Sequence, residues 1–221
     1  MQEHDNSSND KNNKIFRQLH KAVASENLEK LKLLAETHDL NEYLVLQDVQ
    51  CGSTILHCVS NIKNLEIIKW FSENYDLNEY INIQDYKGIT PLHEAFVIGN
   101  LEFIDGFSKN YDLNEYINVQ DNYGITPLND AFREHDVEII KFIIKKCDLF
   151  SSINLPSRCG WTPLHWAVQY EELETFTLLT DNYDVSPSIN LRNKDGDTPL
   201  HLAVKNGNLE MVEYLITKYS N

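Results

Sequence analysis

One threonine sets the frame for everything this chain can fold into. It recurs at Thr54, Thr90, Thr126, Thr162 and Thr198, every step 36 residues, followed each time by a variable residue or proline and then by leucine. The surrounding words repeat too. NYDLNEYINIQDYKGITPLHEAF runs from Asn74 to Phe96, and NYDLNEYINVQDNYGITPLNDAF from Asn110 to Phe132. A partial earlier copy, Leu19-His20-Lys21-Ala22-Val23, precedes Leu56 by 37 residues, the extra one falling in Asp48-Val49-Gln50-Cys51-Gly52. A fixed period of this length marks a stack of like units, each too small to bury its own apolar face. The spacing predicts six units, at approximately 15–47, 48–84, 85–120, 121–156, 157–192 and 193–221, the first without an opening turn of its own.

Each unit has one internal grammar. An Asp or Asn, two variable residues and Gly predict a tight turn, as in Asp85-Tyr86-Lys87-Gly88. Thr-Pro then opens a short helix, the hydroxyl accepting from an orphan N–H and proline forfeiting a donor that had no partner. The helix runs to a residue such as Gly99 or Gly207, suited to a left-handed cap. A second helix follows, with expected core columns Leu28/Leu65/Leu101/Val137/Leu173/Leu209, Leu31/Ile68/Ile104/Ile140/Phe176 with Met211 or Val212, and Leu34/Phe71/Phe107/Ile143/Leu179/Leu215. Residues 1–14 are polar and unpatterned, and are expected to form a disordered tail.

The recurring D-x-x-G-x-T-P-L-H-x-A resembles the ankyrin repeat over residues 15–221. The resemblance implies an all-α solenoid of stacked helix–turn–helix units with β-hairpin tips along one edge. It also implies a structural role for His20, His57, His93, His165 and His201, whose imidazoles would bond backbones of adjacent units. Departures are local. The period is 36 instead of 33, with the surplus at Asn-Glu-Tyr or its equivalents Phe150-Ser151-Ser152 and Ser186-Pro187-Ser188. Ile55 replaces Pro, Asn129 replaces His, and Lys63, His135 and Glu171 replace the helix-ending Gly. Gly106 stands in a column otherwise held by Leu33, Trp70, Phe142, Leu178 and Tyr214. That leaves either a gap filled by neighbours or a notch open to an outside side chain.

Charge narrows the partners. There are 19 Lys plus Arg against 34 Asp plus Glu, a formal charge of -15. Phosphate backbones and anionic lipid heads are repelled, so nucleic acid and membrane are not expected, and a neutral or basic protein surface is. Cys51, Cys58, Cys147 and Cys159 form no CxxC pair and read as reduced cytosolic thiols. No stretch is apolar enough to span a bilayer, and the first residues lack a signal-peptide core.

No catalytic, metal or cofactor site is expected. The five histidines share one slot and do not converge, Asn193–Asp197 lacks the acids of a calcium loop, and Cys159 with His165 has no third orienting group. The resemblance implies binding through the hairpin tips and the concave face of the first helices. Mapped here, those positions give Tyr86, Ile89, Val97 and Ile98 in the third unit, Tyr123 and Ile125 in the fourth, and Trp161, Trp166 and Tyr170 in the fifth. Exposed aromatics mark binding hot spots, whereas Ile89 and Ile125 have an equal reading as packing against the next turn.

The expected function is a non-catalytic protein-interaction scaffold. The alternative is an inhibitor or antitoxin-like regulator that occludes a partner enzyme. A cytoplasmic location is expected, and the Asn-, Lys- and Ile-rich composition is compatible with an effector that an intracellular bacterium exports into host cytosol. The chain is expected as a monomer or a weak self-associate through its C-terminal unit.

Overall fold

A computed structural model describes the backbone of residues 3–170 and 173–219, and the side chains of residues 12–170 and 173–219. It divides into two compact units, Met1–Tyr111 and Asp112–Asn221.

The first unit holds α1 (Glu3–Ala24), α2 (Leu28–Thr37), α3 (Asn41–Leu44), α4 (Ile55–Ser60), α5 (Leu65–Asn74), α6 (Pro91–Val97) and α7 (Leu101–Ser108). Three helix pairs result, α1/α2, α4/α5 and α6/α7. First helices pack in the order α1, α4, α6, and α5 packs on α7. The second unit holds α8 (Pro127–Arg133), α9 (Val137–Lys146), α10 (Pro163–Gln169), α11 (Leu173–Asn182), α12 (Ser186–Ile189), α13 (Pro199–Asn206) and α14 (Leu209–Tyr219). Its pairs are α8/α9, α10/α11 and α13/α14, with α10 between α8 and α13 and α11 against α9.

Apart from α1, the first helices are too short to persist alone, so their ends are tied. In α6, Thr90 Oγ1 accepts from His93 N at 3.4 Å, while His93 Nδ1 accepts from Thr90 N at 3.1 Å. The same reciprocal box closes α8, α10 and α13. Second helices are capped by a column the sequence also displays: Asn27, Asn64, Asn100, Asp136 and Asn208 each accept from backbone N–H groups in the first turn. Asn100 does more, donating from Nδ2 to the carbonyls of Ser60 at 2.8 Å and Ile62 at 2.6 Å, which fastens α7 to the preceding pair.

Two expectations need correction. Of the expected columns on the second helices, those through Ile68 and Phe71 are buried, but the first lies at the rim. Ile67, Ile68 and Phe71 are buried, as are Phe103, Ile104, Phe107 and Ile139, Ile140, Ile143, while Leu65 and Leu209 are 59% and 68% exposed. A helix gripped on two sides buries i, i+1 and i+4, and its first residue lies at the rim. The tips contain no strand among the described residues. Each tip folds on its own leading side chain, Asp85 Oδ1 accepting from Lys87 N and Ile89 N at 2.8 Å. It then gives its neighbour one backbone bond, Tyr86 N to Cys51 O at 3.0 Å or Arg158 N to Tyr123 O at 2.9 Å, and one bond makes no ladder. The surplus residues add turns of helix: Leu77–Glu79 and Leu113–Glu115 are 3₁₀, and α3 and α12 take the equivalent places. The helix α1 begins at Glu3. Ile15, Phe16, Leu19, Ala22 and Val23 bury one face of its later half, and the polar part extends that packed helix.

Candidate protein-binding face

His57 and His165 behave as the resemblance implied, whereas His20 leaves its buried Nε2 without a partner. In the first unit, His57 Nδ1 accepts from Thr54 N at 3.1 Å, so the ring proton sits on Nε2, which faces the Ile89 carbonyl at 3.0 Å. In the second, His165 repeats the arrangement, with Nε2 at 3.2 Å from the Leu191 carbonyl. Burial lowers the pKa of both rings below the usual 6.5 and keeps them neutral. His20 is lowered for the same reason, and its Nδ1 lies 3.2 Å from Cys58 Sγ. That pair is no nucleophile: burial pushes the Cys58 thiol up to about 12, leaving it protonated. Cys147 is likewise pushed up to about 12 by burial.

Tyr43, Tyr80 and Tyr116 are all buried and brace the surplus turns. Tyr111 clamps one of them, its hydroxyl donating to Asp76 Oδ1 at 2.8 Å and accepting from Leu77 N at 2.9 Å.

The predicted contact residues fall into separate sets. In the first unit, Tyr86 is 59% exposed at its tip, and Ile89, Val97 and Ile98 are half-buried. The Tyr86 backbone and ring lie so close over Gly52 (φ +80°) that a Cβ there would come within 2.6 Å of the ring. Tyr86 therefore sits on a neighbouring tip that only glycine allows.

In the second unit, Tyr123 is 62% exposed and Ile125 half-buried. Trp161, Trp166 and Tyr170 come together. The two indoles have centroids 4.2 Å apart with planes 31° from parallel, and Trp166 and Tyr170 are 6.2 Å apart at 14°. Both indoles are half-buried, and Tyr170 is 40% exposed.

The array has a fourth ring that sequence reading missed. His135 lies against Tyr170, centroids 4.8 Å apart, from the end of α8. It was read only as a glycine replacement, yet it keeps the glycine's conformation, with φ +46° beside +67° at Gly99 and +73° at Gly207. A non-glycine side chain in that region carries strain, which its neighbours must hold in place. Just before His135 in the chain, the buried Asp130 carboxylate pairs with Arg133 Nη1 at 2.9 Å, and Arg133 Nε reaches Glu134 Oε1 at 3.0 Å.

Gly106 opens a notch. In the first unit it floors a groove of about 580 Å³ lined by Leu65, Ile68, Lys69, Ser72, Glu102 and Asp105 among others. Trp70 does not fill it, packing instead on Phe71 and Tyr75. No helix among the described residues is long and apolar enough to cross a membrane.

Paired antiparallel helices joined by tight tips, with a neutral histidine bonding one pair to the next, define an all-α repeat protein. A family model described as ankyrin repeats (3 copies) matches residues 19–116, 59–154, 113–190 and 148–221, and the chain belongs to the ankyrin-repeat family. Ankyrin repeats are generally protein-interaction modules. No curated protein matches the chain with significance.

Proposed function

We propose that the chain is a non-catalytic binding module that grips a partner protein with the first-helix face of its second unit and with the neighbouring tips. The observation carrying this reading is the cluster of Trp161, Trp166 and Tyr170, rings left half-exposed before, within and at the end of α10. Large rings of this kind supply most of the energy in measured interfaces. Rigid helices present them in place, so little ordering entropy opposes association. Within that unit Tyr123 and Ile125 extend the contact as complementary surface, and in the first unit Tyr86, Ile89, Val97 and Ile98 offer a contact set of their own. The partner offers a neutral or basic face, given the charge of -15. The four free cysteines fit action in a reducing cytosol, the cell's own or a host's.

Capture from cell extract tests the reading. Trp161→Ala with Trp166→Ala is expected to keep the helical spectrum and to weaken the captured partner by about 2 kcal/mol. Undiminished capture overturns the assignment of this face. If the partner is an enzyme, its turnover with the protein added separates a scaffold from an occluding inhibitor.

Self-association belongs to the last pair. Leu200, Val204 and Leu209 are exposed there, and residues 193–221 carry three lysines against four carboxylates, so little charge repulsion opposes contact in a chain at -15. Val204→Glu is expected to abolish any concentration-dependent mass increase in light scattering.

A further inference from the structure

The chemistry of the partner is legible in the aromatic array, given that this face binds protein at all. Trp166 and Tyr170 are near-parallel at 14°, with centroids 6.2 Å apart. Rings in full face-to-face contact sit roughly 3.5 Å apart, so each of these leaves most of a face uncovered by the other. Neither is sealed by the rest of the protein, since Trp166 is half-buried and Tyr170 40% exposed. His135 continues the column at 4.8 Å and Trp161 begins it at 4.2 Å. The result is a run of flat π-faces suited to a flat guest.

Charge selects which flat guest. Arg133, two residues before His135, is already used, shared between Asp130 at 2.9 Å and Glu134 at 3.0 Å. Two carboxylates to one guanidinium leave the neighbourhood negative, and Glu134 keeps a side chain 37% exposed. His135 holds a left-handed backbone at φ +46°, as Glu26 does at +50° in the same place of the first pair, where Gly99 and Gly207 take the turn without strain. Its ring lies against Tyr170, 4.8 Å between centroids, and adds a fourth π-system to the array.

We propose that the Trp161–Trp166–Tyr170–His135 array takes an arginine side chain from an extended basic segment of the partner, the guanidinium lying flat on a ring face with Glu134 as its counter-ion. Guanidinium is planar, weakly hydrated and stacks on aromatic faces, whereas lysine brings a compact, strongly hydrated charge.

The test titrates the full chain, by calorimetry and tryptophan fluorescence, with three short synthetic peptides: alternating arginine and serine, its lysine twin, and a neutral proline-rich sequence. The arginine peptide is expected to bind at least about fivefold tighter than the lysine twin. Tyr170→Ala and Trp166→Ala each are expected to weaken it by about tenfold with the thermal midpoint retained. His135→Gly weakens it too, and because it relieves strain it leaves folding sound. Equal binding of the twins reduces the site to diffuse acidic attraction and overturns the proposal. Preference for the proline peptide, or no binding by any peptide, overturns it as well. Parallel capture from extract keeps the two readings apart. If the Trp161→Ala, Trp166→Ala variant loses its partner while the arginine peptide fails, only the guanidinium chemistry falls. If capture also persists in that variant, the face falls with it.

Discussion

Asn129 occupies the place of His57 and His165, and shows what each half of an imidazole contributes. Its Oδ1 accepts from Thr126 N at 3.2 Å, so the helix cap survives the exchange. Its Nδ2 is buried without a partner, because the amide is too short for the carbonyl that a histidine Nε2 reaches. Asn129→His is therefore expected to stabilise the second unit by about 1 kcal/mol in urea unfolding, by bonding the Trp161 carbonyl that corresponds to that of Ile89. The histidines also set an acid limit. His20, His57 and His165 are lowered by burial, so the folded chain holds them neutral while the unfolded chain takes up protons near pH 6.5. Stability is complete above that pH and declines as pH falls through 6.5 toward the depressed folded values. His57→Asn with His165→Asn is expected to flatten that decline between pH 7 and pH 5, and an unaltered slope in pH-dependent melts contradicts it. At this scale the sequence showed the histidine slot, the exchange at Asn129 and three of the four clustered rings. His135 escaped because substitution of a glycine says nothing of whether the backbone keeps the glycine's φ.

The helices were legible through repetition more than through propensity. A first helix of six to eight residues is below what stands alone, and only its recurrence after Thr-Pro gave it away. Its survival rests on the cap, so Thr90→Ala is expected to cost about 1 to 2 kcal/mol. The reciprocal box at α6 puts that change at the upper end, and a loss below about 0.3 kcal/mol in chemical unfolding would detach the cap from stability. The first column of the second helix lies at the rim, and residues beside the other two are buried, for a physical reason. A three-residue spacing describes one wetted face, whereas α5 is held by the first helix of its pair and by α7. Such clamping buries adjacent residues like Ile67 and Ile68 together. The surplus residues were located but not shaped, since Asp76 Oδ1 accepting from Asn78 N at 3.1 Å is what winds Leu77–Glu79 into a 3₁₀ turn.

Across the molecule, charge is the largest unspent quantity. Thirty-four carboxylates against 19 cations repel one another, and the surface pairs that offset them, such as Lys69–Glu73 at 3.6 Å with both side chains more than half exposed, contribute little. Added salt screens the repulsion more than it weakens those pairs, so the melting midpoint is expected to rise by about 2 to 4 °C between low and physiological ionic strength. A falling midpoint in calorimetry would show that the pairs dominate. The tips carry a different consequence. Because each closes on its own aspartate, asparagine or serine and asks its neighbour for a single carbonyl, no crest residue is committed to a shared sheet. Tyr86, Tyr123 and Arg158 are thus letters that drift or selection in the laboratory can rewrite singly, and a new specificity is reachable by small steps without passing through an unfolded intermediate sequence.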